Sequence, residues 1–295
     1  MDKVLRYTDF SDLKLFKRGK VRDIYLVEEN LLIVATDRIS CFDVVLPSCI
    51  PNKGKILTQI SLFWFNFIKD IVESHLITAD VSRYPSCLKK YKKILDGRSM
   101  LVKMAEPIKF ECVVRGYLAG SAYKDYKDTK KICGIKLPSN LKENQKLPEP
   151  IFTPATKEEL GHDKNVDEKY MQKKLGRSTT KFIKDVSLKI YKRAASFAEK
   201  KGIIIADTKF EYGFCNGKII LIDEILTPDS SRFWPKSDYV VGKSVPSFDK
   251  QFVRDYLENI NWDKTSPPPT LPADIIKKTE KKYKEAYRLF VGKPL

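Results

Sequence analysis

The stretch that decides the fold is GIIIADTKFEYGFCNGKIILIDEIL, from Gly202 to Leu226. Two apolar runs rich in isoleucine flank Cys215–Gly217, which is a typical turn sequence, so the pattern predicts a β-hairpin. On the first strand, Asp207, Lys209 and Glu211 occur at every second position and therefore share one face. The hairpin thus places two acids and a base side by side.

The length of the turn decides whether Asp223, on the second strand, joins this face. A two-residue turn places Glu211 and Asp223 on opposite faces. A three-residue loop, Cys215–Gly217 with its glycine left-handed, pairs Lys209 with Asp223 and puts all four polar side chains on one side. On that geometry we hypothesise a Mg²⁺ site, because Mg²⁺ takes one or two carboxylates together with water and phosphate oxygens. The alternative is a solvated sheet face with a cross-strand ion pair.

Hydrophobic periodicity extends the prediction outward from this hairpin. Short apolar runs predict strands, and these are KVRDIYLV and NLLIVATD around a turn at residues 28–30, then 100–104 and 110–115. Apolar residues at steps of three and four predict helices, and these are a stripe from Ile56 through Ile60, Phe63 and Phe67 to Ile71, then 180–200 and 273–291. Residues 130–159, rich in Pro, Lys and Asn, predict a long irregular excursion.

Composition narrows the class of protein. The chain has 295 residues, of which 42% are hydrophobic, so it is expected to fold as one large or two smaller domains. No apolar run approaches the roughly 20 residues of a membrane helix, and the N-terminus lacks the apolar core of a signal peptide, so a cytoplasmic location is expected. None of the six cysteines forms a C-x-x-C pair, which predicts reduced thiols.

The net charge of +17 raises the alternative of a nucleic-acid-binding protein. The basic residues are interspersed with acids, as in KENQK and KKTEKKYKE, and form no dense block with interleaved aromatic residues. The charge therefore favours solvated faces and anionic small substrates over nucleic acid.

Four further motifs carry candidate anion-binding residues. In RGKVRD, Gly19 is flanked by basic residues, among them Lys20 and Arg22. Backbone amides and bases in such a segment suit phosphate, although most such segments are ordinary turns. Lys55 ends PNKGK, just before the predicted first helix, where anions favour free amides. Two arginines with hydroxyl neighbours follow predicted strands and suit a phosphate or carboxylate: Arg115 with Ser121, and Arg232 with Asp229 and Ser230.

The segment FTPATKEELGHD contains Lys157, His162 and Asp163. His162 is either a loop hydrogen-bonding residue or a site residue. No G-x-S-x-G elbow and no kinase H-R-D loop occurs in the sequence, which argues against a serine hydrolase and an ordinary protein kinase.

Taken in order, seven motifs between residues 19 and 235 resemble successive signatures of the SAICAR synthetase family. They are GKVRD, TDRISCFDVVLP, IPNKGKILTQISLFWF, VVRGYLAGSAYKDY, FTPATKEELGHD, ADTKFE and DEILTPDSSRFWP. The resemblance implies an α+β fold: an N-terminal antiparallel β domain similar to a kinase small lobe (1–108), and a larger α+β domain with the metal and substrate site and closing C-terminal helices (109–295).

The same resemblance implies an activity. ATP, L-aspartate and carboxyaminoimidazole ribonucleotide (CAIR) become SAICAR, ADP and phosphate through an acyl phosphate, in purine biosynthesis. The implied ligands are ATP and Mg²⁺ with the small-molecule substrates. Neither a nucleic acid nor a membrane is an expected partner, and a monomer is favoured while the oligomeric state stays open.

The resemblance also implies roles for single residues. The implied ATP-binding residues are Gly19, Lys20 and Arg22 in a triphosphate loop and Lys103, Met104 and Glu106 in an adenine-facing linker. The implied metal ligands are Glu211 and Asp223, and the implied catalytic residues are Lys20, Lys209 and Asp207. The implied substrate-binding residues are Asp43, Arg115, Ser121, Asp229, Ser230 and Arg232, with Lys55, Lys157, His162 and Asp163 in loops that close over the substrate.

Two other functional classes stay open on the sequence alone. A small-molecule kinase on a related ATP-binding architecture would not require aspartate. A basic nucleic-acid-binding protein would show steeply salt-dependent binding to unrelated duplexes and no ATPase activity.

Overall fold

The computed structural model describes residues 4–157, 164–248, 250–292 and 295. The strands are β1 (Lys14–Arg18), β2 (Arg22–Val27), β3 (Asn30–Ala35), β4 (Arg38–Cys41), β5 (Val44–Cys49), β6 (Leu76–Thr78), β7 (Ser99–Lys103), β8 (Glu106–Pro107), β9 (Phe110–Tyr117), β10 (Lys131–Ile132), β11 (Ile135–Lys136), β12 (Lys146–Thr156), β13 (Ile203–Cys215), β14 (Lys218–Ile222) and β15 (Ser231–Pro235). The helices are α1 (Lys53–Phe67), α2 (Lys92–Leu95), α3 (Ser121–Thr129), α4 (Glu168–Leu175), α5 (Arg177–Lys200), α6 (Gln251–Asn259) and α7 (Ala273–Val291). Among these helices, none combines the length and apolarity that a bilayer crossing requires.

The first sheet has five antiparallel strands in the order β1-β2-β3-β7-β6. The strands predicted around the turn at residues 28–30 are confirmed as β2 and β3, and the strand predicted at 100–104 is confirmed as β7. The sequence does not predict β1, because every residue of this edge strand is exposed and no alternation marks it. The predicted first helix is confirmed as α1, which buries Ile56 and Ile60 near this sheet and ends before Ile71.

The second sheet is also antiparallel and is built around the long strand β13. Its order is β12-β9-β13-β14, and β8 and β15 also pair with β13. The predicted helix at 180–200 is confirmed as α5, and its residues Ile183 and Ile190 pack in the same core as Val114 and Phe210 of the sheet. The predicted C-terminal helix is confirmed as α7.

The predicted irregular excursion at 130–159 is wrong over much of its length. β10 and β11 form a small hairpin, and β12 pairs with β9 along the border of the second sheet. The prolines of β12, Pro148, Pro150 and Pro154, conceal the strand in the sequence. An edge strand tolerates proline, because one side of its backbone has no partner strand to receive an N–H group.

Of the two turn lengths that the sequence allows for the β13–β14 hairpin, the structure has the two-residue turn, so the three-residue loop behind the Mg²⁺ hypothesis is wrong. Cys215 pairs with Lys218, so the turn contains only Asn216 and Gly217, with φ angles of 51° and 73°. Two left-handed residues form a type I′ turn, whose twist matches that of the flanking strands. β14 ends one residue before Asp223, and the φ of 66° at Asp223 takes the chain out of the strand. The two-residue alternation therefore does not set the direction of the Asp223 side chain.

The two sheets are joined by a short linker and by a shared core. β7 ends at Lys103 and β8 begins at Glu106, so Met104 and Ala105 connect the first sheet to the second. The largest apolar cluster contains Ile33 and Met100 from the first sheet as well as core residues of the second. The α+β class with antiparallel sheets is confirmed, and a domain boundary at residue 108 stays a prediction.

His75 lies beyond the end of α1, just before β6. Its side chain is buried, and its Nε2 atom has no hydrogen-bond partner among the described residues. Burial, with a smaller contribution from Arg22, lowers the pKa of His75 to about 3. His75 is therefore neutral in the folded protein at neutral pH.

We expect this buried imidazole to make the protein acid-sensitive. The unfolded state binds a proton below about pH 6.5 and the folded state does not until about pH 3. His75 therefore does not lower the free energy of unfolding well above pH 6.5. Below that pH, the free energy of unfolding declines by about 1.4 kcal/mol per pH unit because of this residue. Urea unfolding at pH 7.5 and 5.0 should show wild type losing about 2 kcal/mol more than His75→Leu. Equal losses in the two proteins would show that His75 is protonated in the folded state.

Candidate active site

The sequence-predicted phosphate loop is the turn between β1 and β2. The Gly19 amide donates to the Arg22 carbonyl over 2.8 Å, which closes the turn. The exposed side chain of Lys20 forms an ion pair with Asp43. Arg22 forms a two-point ion pair with Asp223, with 3.0 Å between Nη2 and Oδ2. The first sheet and the β13–β14 hairpin therefore meet through predicted site residues 201 positions apart in the chain.

The linker predicted to face adenine lies where the two sheets join. The Lys103 amide donates to the His75 carbonyl over 2.7 Å, and Met104 is exposed. Glu106 begins β8 and pairs with Phe214 of β13. The linker is thus anchored to a buried segment at one end and to the second sheet at the other.

One face of the second sheet is polar, and we call it the polar face: Glu111, Arg115, Thr153, Asp207, Lys209, Glu211 and Arg232. The strand register creates it, because Asp207 pairs with Arg115 on β9 and with Arg232 on β15. Residues at the intervening positions, such as Cys112 and Phe210, point into the core. The sequence-predicted alternation of Asp207, Lys209 and Glu211 is therefore confirmed.

Acids and bases alternate along the polar face. Lys209 donates from Nζ to Glu111 and to Glu211, each over 2.7 Å, and Lys157 donates to Glu211 over 2.5 Å. Burial opposes the charge of Glu211, but Lys209 and Lys157 outweigh it and lower the pKa of Glu211 to about 2. Burial likewise opposes the charge of Lys209, but the two carboxylates raise its pKa. Glu211 and Lys209 are therefore both charged at neutral pH.

Two arginines share one carboxylate at the other end of the polar face. Arg115 and Arg232 donate to Asp207 Oδ2 over 3.0 Å and 3.2 Å, and Arg115 Nε also donates to Thr153 over 3.0 Å. Gly120, with a φ of 59°, lies so close to Arg232 that a Cβ atom there would be 2.6 Å from Nη2.

The exposed Ser121 follows Gly120 and begins α3. Two guanidinium groups beside the start of a helix suit an anion, because both attract negative charge. The sequence-predicted pair Arg115 and Arg232 is thus brought together, and Ser121 follows the glycine that lies against Arg232.

Asp229 is the centre of a buried cluster that we call the Asp229 cluster: Lys53, Asp229, Lys250 and Tyr283. Its Oδ2 accepts from Lys53 over 2.6 Å, and its Oδ1 accepts from Tyr283 over 2.7 Å and lies 3.4 Å from Lys250. Burial by itself raises the pKa of Asp229, but Lys250 and Lys53 outweigh it and lower the pKa. Asp229 is therefore an ionised carboxylate with both oxygens in contact with the protein.

A cavity of about 150 Å³ connects the Asp229 cluster with the polar face. Its lining includes Asp207, Asp229, Ser230, Arg232, Lys250 and Arg254. Ser230 bonds with Thr227 in the same turn. The cavity is rich in charge and joins two sets of predicted site residues, so it suits a small anionic substrate.

Sequence reasoning missed Lys53, Lys250, Arg254 and Tyr283. Lys53 and Lys55 both belong to PNKGK, and residues two apart on a helix point in different directions. The structure directs Lys53 to Asp229, whereas the stem of Lys55 lies near Gly97 and its amino group contacts no described acid. The structure therefore does not bring Lys55 into the Asp229 cluster.

Removing the Lys53 charge should destabilise the protein strongly. Lys53 is fully buried, and Lys53→Met leaves the buried Asp229 with a longer contact to Lys250 and one hydroxyl. We expect a loss of about 3 kcal/mol in the free energy of unfolding, because an uncompensated buried charge is costly. Lys55→Met should change it by less than about 0.5 kcal/mol. Equal losses for the two lysines, measured by urea unfolding, would contradict this account of the cluster.

His162 and Asp163 lie outside the described residues, and Lys157 is the last described residue before them. Within the described ranges, no group of three or more His, Cys, Asp or Glu side chains is arranged to hold a metal ion. All six cysteines are free in the structure, and their reduced state stays a prediction.

Comparisons with known proteins agree with one another. A family model described as SAICAR synthetase matches residues 15–269. The phosphoribosylaminoimidazole-succinocarboxamide synthase of Thermodesulfovibrio yellowstonii is 60% identical over 292 residues, which cover 99% of this chain and 100% of the relative. That of Geotalea uraniireducens is 56% identical over 294 residues, covering 99% of both chains.

Solved structures show the same likeness. SAICAR synthase from Saccharomyces cerevisiae, complexed with SAICAR, has a TM-score of 0.91 and 43% identity, with 99% of each chain covered. A SAICAR synthetase in complex with ADP has a TM-score of 0.68 and 25% identity, covering 95% of this chain and 98% of that one.

Proposed function

Because this chain belongs to the SAICAR synthetase family, we propose that the phosphate loop, the polar face and the Asp229 cluster together form its active site. The family joins L-aspartate to CAIR at the expense of ATP in purine biosynthesis. The observation that carries the proposal is the ion pair between Arg22 and Asp223, because it places the phosphate loop against the hairpin that bears the acids.

The reaction needs charge neutralisation more than it needs a protein nucleophile. A carboxylate is a poor electrophile because its leaving oxygen is strongly basic. Transfer of the γ-phosphoryl group of ATP to the CAIR carboxylate releases ADP and forms an acyl phosphate. The aspartate amine then attacks the acyl carbon, phosphate leaves, and the amine loses a proton as the amide bond forms.

In this proposal the bases of the site offset the charge on the transferring phosphoryl group. Lys20 and Arg22 extend from the phosphate loop, and Lys209 extends from the polar face. Lys209 stays protonated at neutral pH because neighbouring carboxylates raise its pKa. Preorganised positive charge of this kind stabilises a transition state without reorganisation during the reaction.

Glu211 and Asp223 fit the ligand set expected for Mg²⁺. Glu211 is a carboxylate with a pKa of about 2 and is therefore ionised. Mg²⁺ takes one or two carboxylates plus phosphate oxygens and water, and such a site needs no third acidic ligand. When bound, the ion neutralises charge on the transferring phosphoryl group. Arg22 and Lys157 pair with these two acids in the structure, and both bases would become available to phosphate oxygens if the acids held the metal.

The remaining residues of the proposal bind and orient substrates. Lys103, Met104 and Glu106 face the adenine, and Asp43 borders the nucleotide pocket. Arg115, Arg232 and Ser121 bind the CAIR phosphate, and Asp229 and Ser230 bind its other polar groups. Asp207 acts in this proposal by holding both arginines in position, which makes it a positioning residue. Fixed geometry of this kind converts an encounter into proximity.

Omission of one substrate at a time tests the proposed function. We expect sustained ADP release, in a coupled assay, only when ATP, CAIR and L-aspartate are all present. Sustained release without aspartate would instead indicate a small-molecule kinase. The cytoplasmic location, the monomeric state and the lack of a nucleic-acid partner stay predictions.

A further inference from the structure

Two carbonyl groups of the phosphate loop point to one buried arginine. Arg38, at the start of β4, donates from Nη2 to the Gly19 carbonyl and from Nε to the Lys20 carbonyl, each over 3.0 Å. Its side chain is only 1% exposed, although the loop itself lies at the surface. The contact is therefore a buried support beneath an exposed loop.

The guanidinium of Arg38 is itself held from three further sides. Nη2 donates to Asp23 Oδ1 over 2.8 Å, and Nη1 donates to the Arg6 carbonyl over 2.6 Å. The ring of Tyr7 lies 4.8 Å from the guanidinium carbon. Asp23 is fully buried and accepts from both the amide and the hydroxyl of Thr8, each over 2.8 Å. The segment around Thr8 thus fixes Asp23, and Asp23 fixes Arg38.

The planar trans peptide bond converts these contacts into a direction for the loop amides. In each peptide unit the C=O and the following N–H point in opposite directions. Since the carbonyls of Gly19 and Lys20 point toward Arg38, the amides of Lys20 and Val21 point away from it. Neither amide donates to another described residue. Consecutive unpaired amides beside Lys20 and Arg22 suit an anion.

We propose that Arg38 is a positioning residue for nucleotide binding, which holds the phosphate loop so that the amides of Lys20 and Val21 face the phosphates of ATP. This inference rests on the proposed function, in which the loop binds the triphosphate. Arginine is required because its planar guanidinium bonds at once to three backbone carbonyls and to the Asp23 carboxylate. A lysine keeps the charge but offers three donors from a single nitrogen.

Calorimetry with Mg-ADP, together with steady-state kinetics, tests the proposal. We expect Arg38→Lys to weaken ADP binding and to raise the KM for ATP, each by about tenfold, as the amides lose their fixed direction. The KM values for CAIR and aspartate should stay unchanged. Thr8→Val, which removes one hydrogen bond to Asp23, should shift ADP binding in the same direction by a smaller factor. If Arg38→Lys does not fold, the ADP affinity of Thr8→Val tests the proposal in its place.

A core variant separates positioning from general loss of stability. Leu88→Ala removes a buried side chain from the apolar cluster of the first sheet that includes Phe10 and Leu32. It should lower the Tm but leave ADP affinity unchanged. Weakening of ADP binding by Leu88→Ala to the same extent as by Arg38→Lys would overturn the proposal.

Lys20→Ala and Arg22→Ala distinguish failure of this inference from failure of the proposed function. If both weaken ADP binding while Arg38→Lys and Thr8→Val do not, the positioning role is wrong and the phosphate loop stands. If none of the four variants weakens ADP binding, the loop is not the nucleotide site and both proposals fall.

Discussion

Glu211→Gln is expected to lower kcat by about a thousandfold while the protein still folds. The substitution preserves the shape of the side chain and removes only its charge. A neutral amide is a poor ligand for a hard cation, and it leaves Lys157 without a carboxylate partner. Lys209 keeps its bond to Glu111, so we expect the sheet to remain intact. Asp223→Asn should lower kcat to a similar extent and also break the pair with Arg22.

Glu73→Gln provides a matched control for the loss of one acid near the same hairpin. Glu73 is exposed and lies 3.7 Å from Lys218, in a surface pair of the kind that contributes little. The kcat of Glu73→Gln should stay within about twofold of wild type, since no proposed site residue changes. Steady-state kinetics over a Mg²⁺ titration, with thermal unfolding as a check on folding, measures both variants. A Glu211→Gln protein with near wild-type kcat would show that Glu211 is not a ligand of the proposed metal site.

Arg232→Ala is expected to raise the KM for CAIR by about a hundredfold, while the KM for ATP stays near that of wild type. Two charge-assisted hydrogen bonds to a phosphate account for an effect of this size. The side chain of Arg232 is partly exposed, and Asp207 keeps its partner Arg115 when Arg232 is removed. The variant should therefore lose binding with little loss of stability.

Two other arginines serve as comparisons. Arg115 is more deeply buried and also bonds to Thr153, so Arg115→Ala should both raise the KM for CAIR and lower the Tm. Arg193 forms an exposed pair with Asp70, and Arg193→Ala should change neither quantity. Initial-rate kinetics at varied CAIR gives the KM values. An unchanged KM for CAIR in Arg232→Ala would exclude this residue from the nucleotide pocket.

Local patterns in the chain predicted those elements whose stability depends on burying one face. The stripe of α1 and the period of α5 are visible because each helix packs one side into the core. β1 and β12 are not visible, because β1 is fully exposed and β12 contains three prolines. Their positions are set by pairing with β2 and β9, a contact that no pattern within either strand records.

The candidate site also contains features that the sequence predicted and features that it did not. The alternation of Asp207, Lys209 and Glu211 was predictable, since a strand has a period of two. The partners of these residues were not predictable, because Arg115 lies on β9, Lys157 follows β12, and strand pairing alone brings them close.

By itself, the sequence determined the family, the α+β class and the hairpin that bears the acids, because these depend on local periodicity and on motifs with fixed spacing. Only the tertiary structure decided that the hairpin turn has two residues and that Lys53, not Lys55, meets Asp229. It also decided that Arg38 supports the phosphate loop. The physical reason is that side-chain partners depend on backbone direction and burial, which arise when segments far apart in the chain pack together.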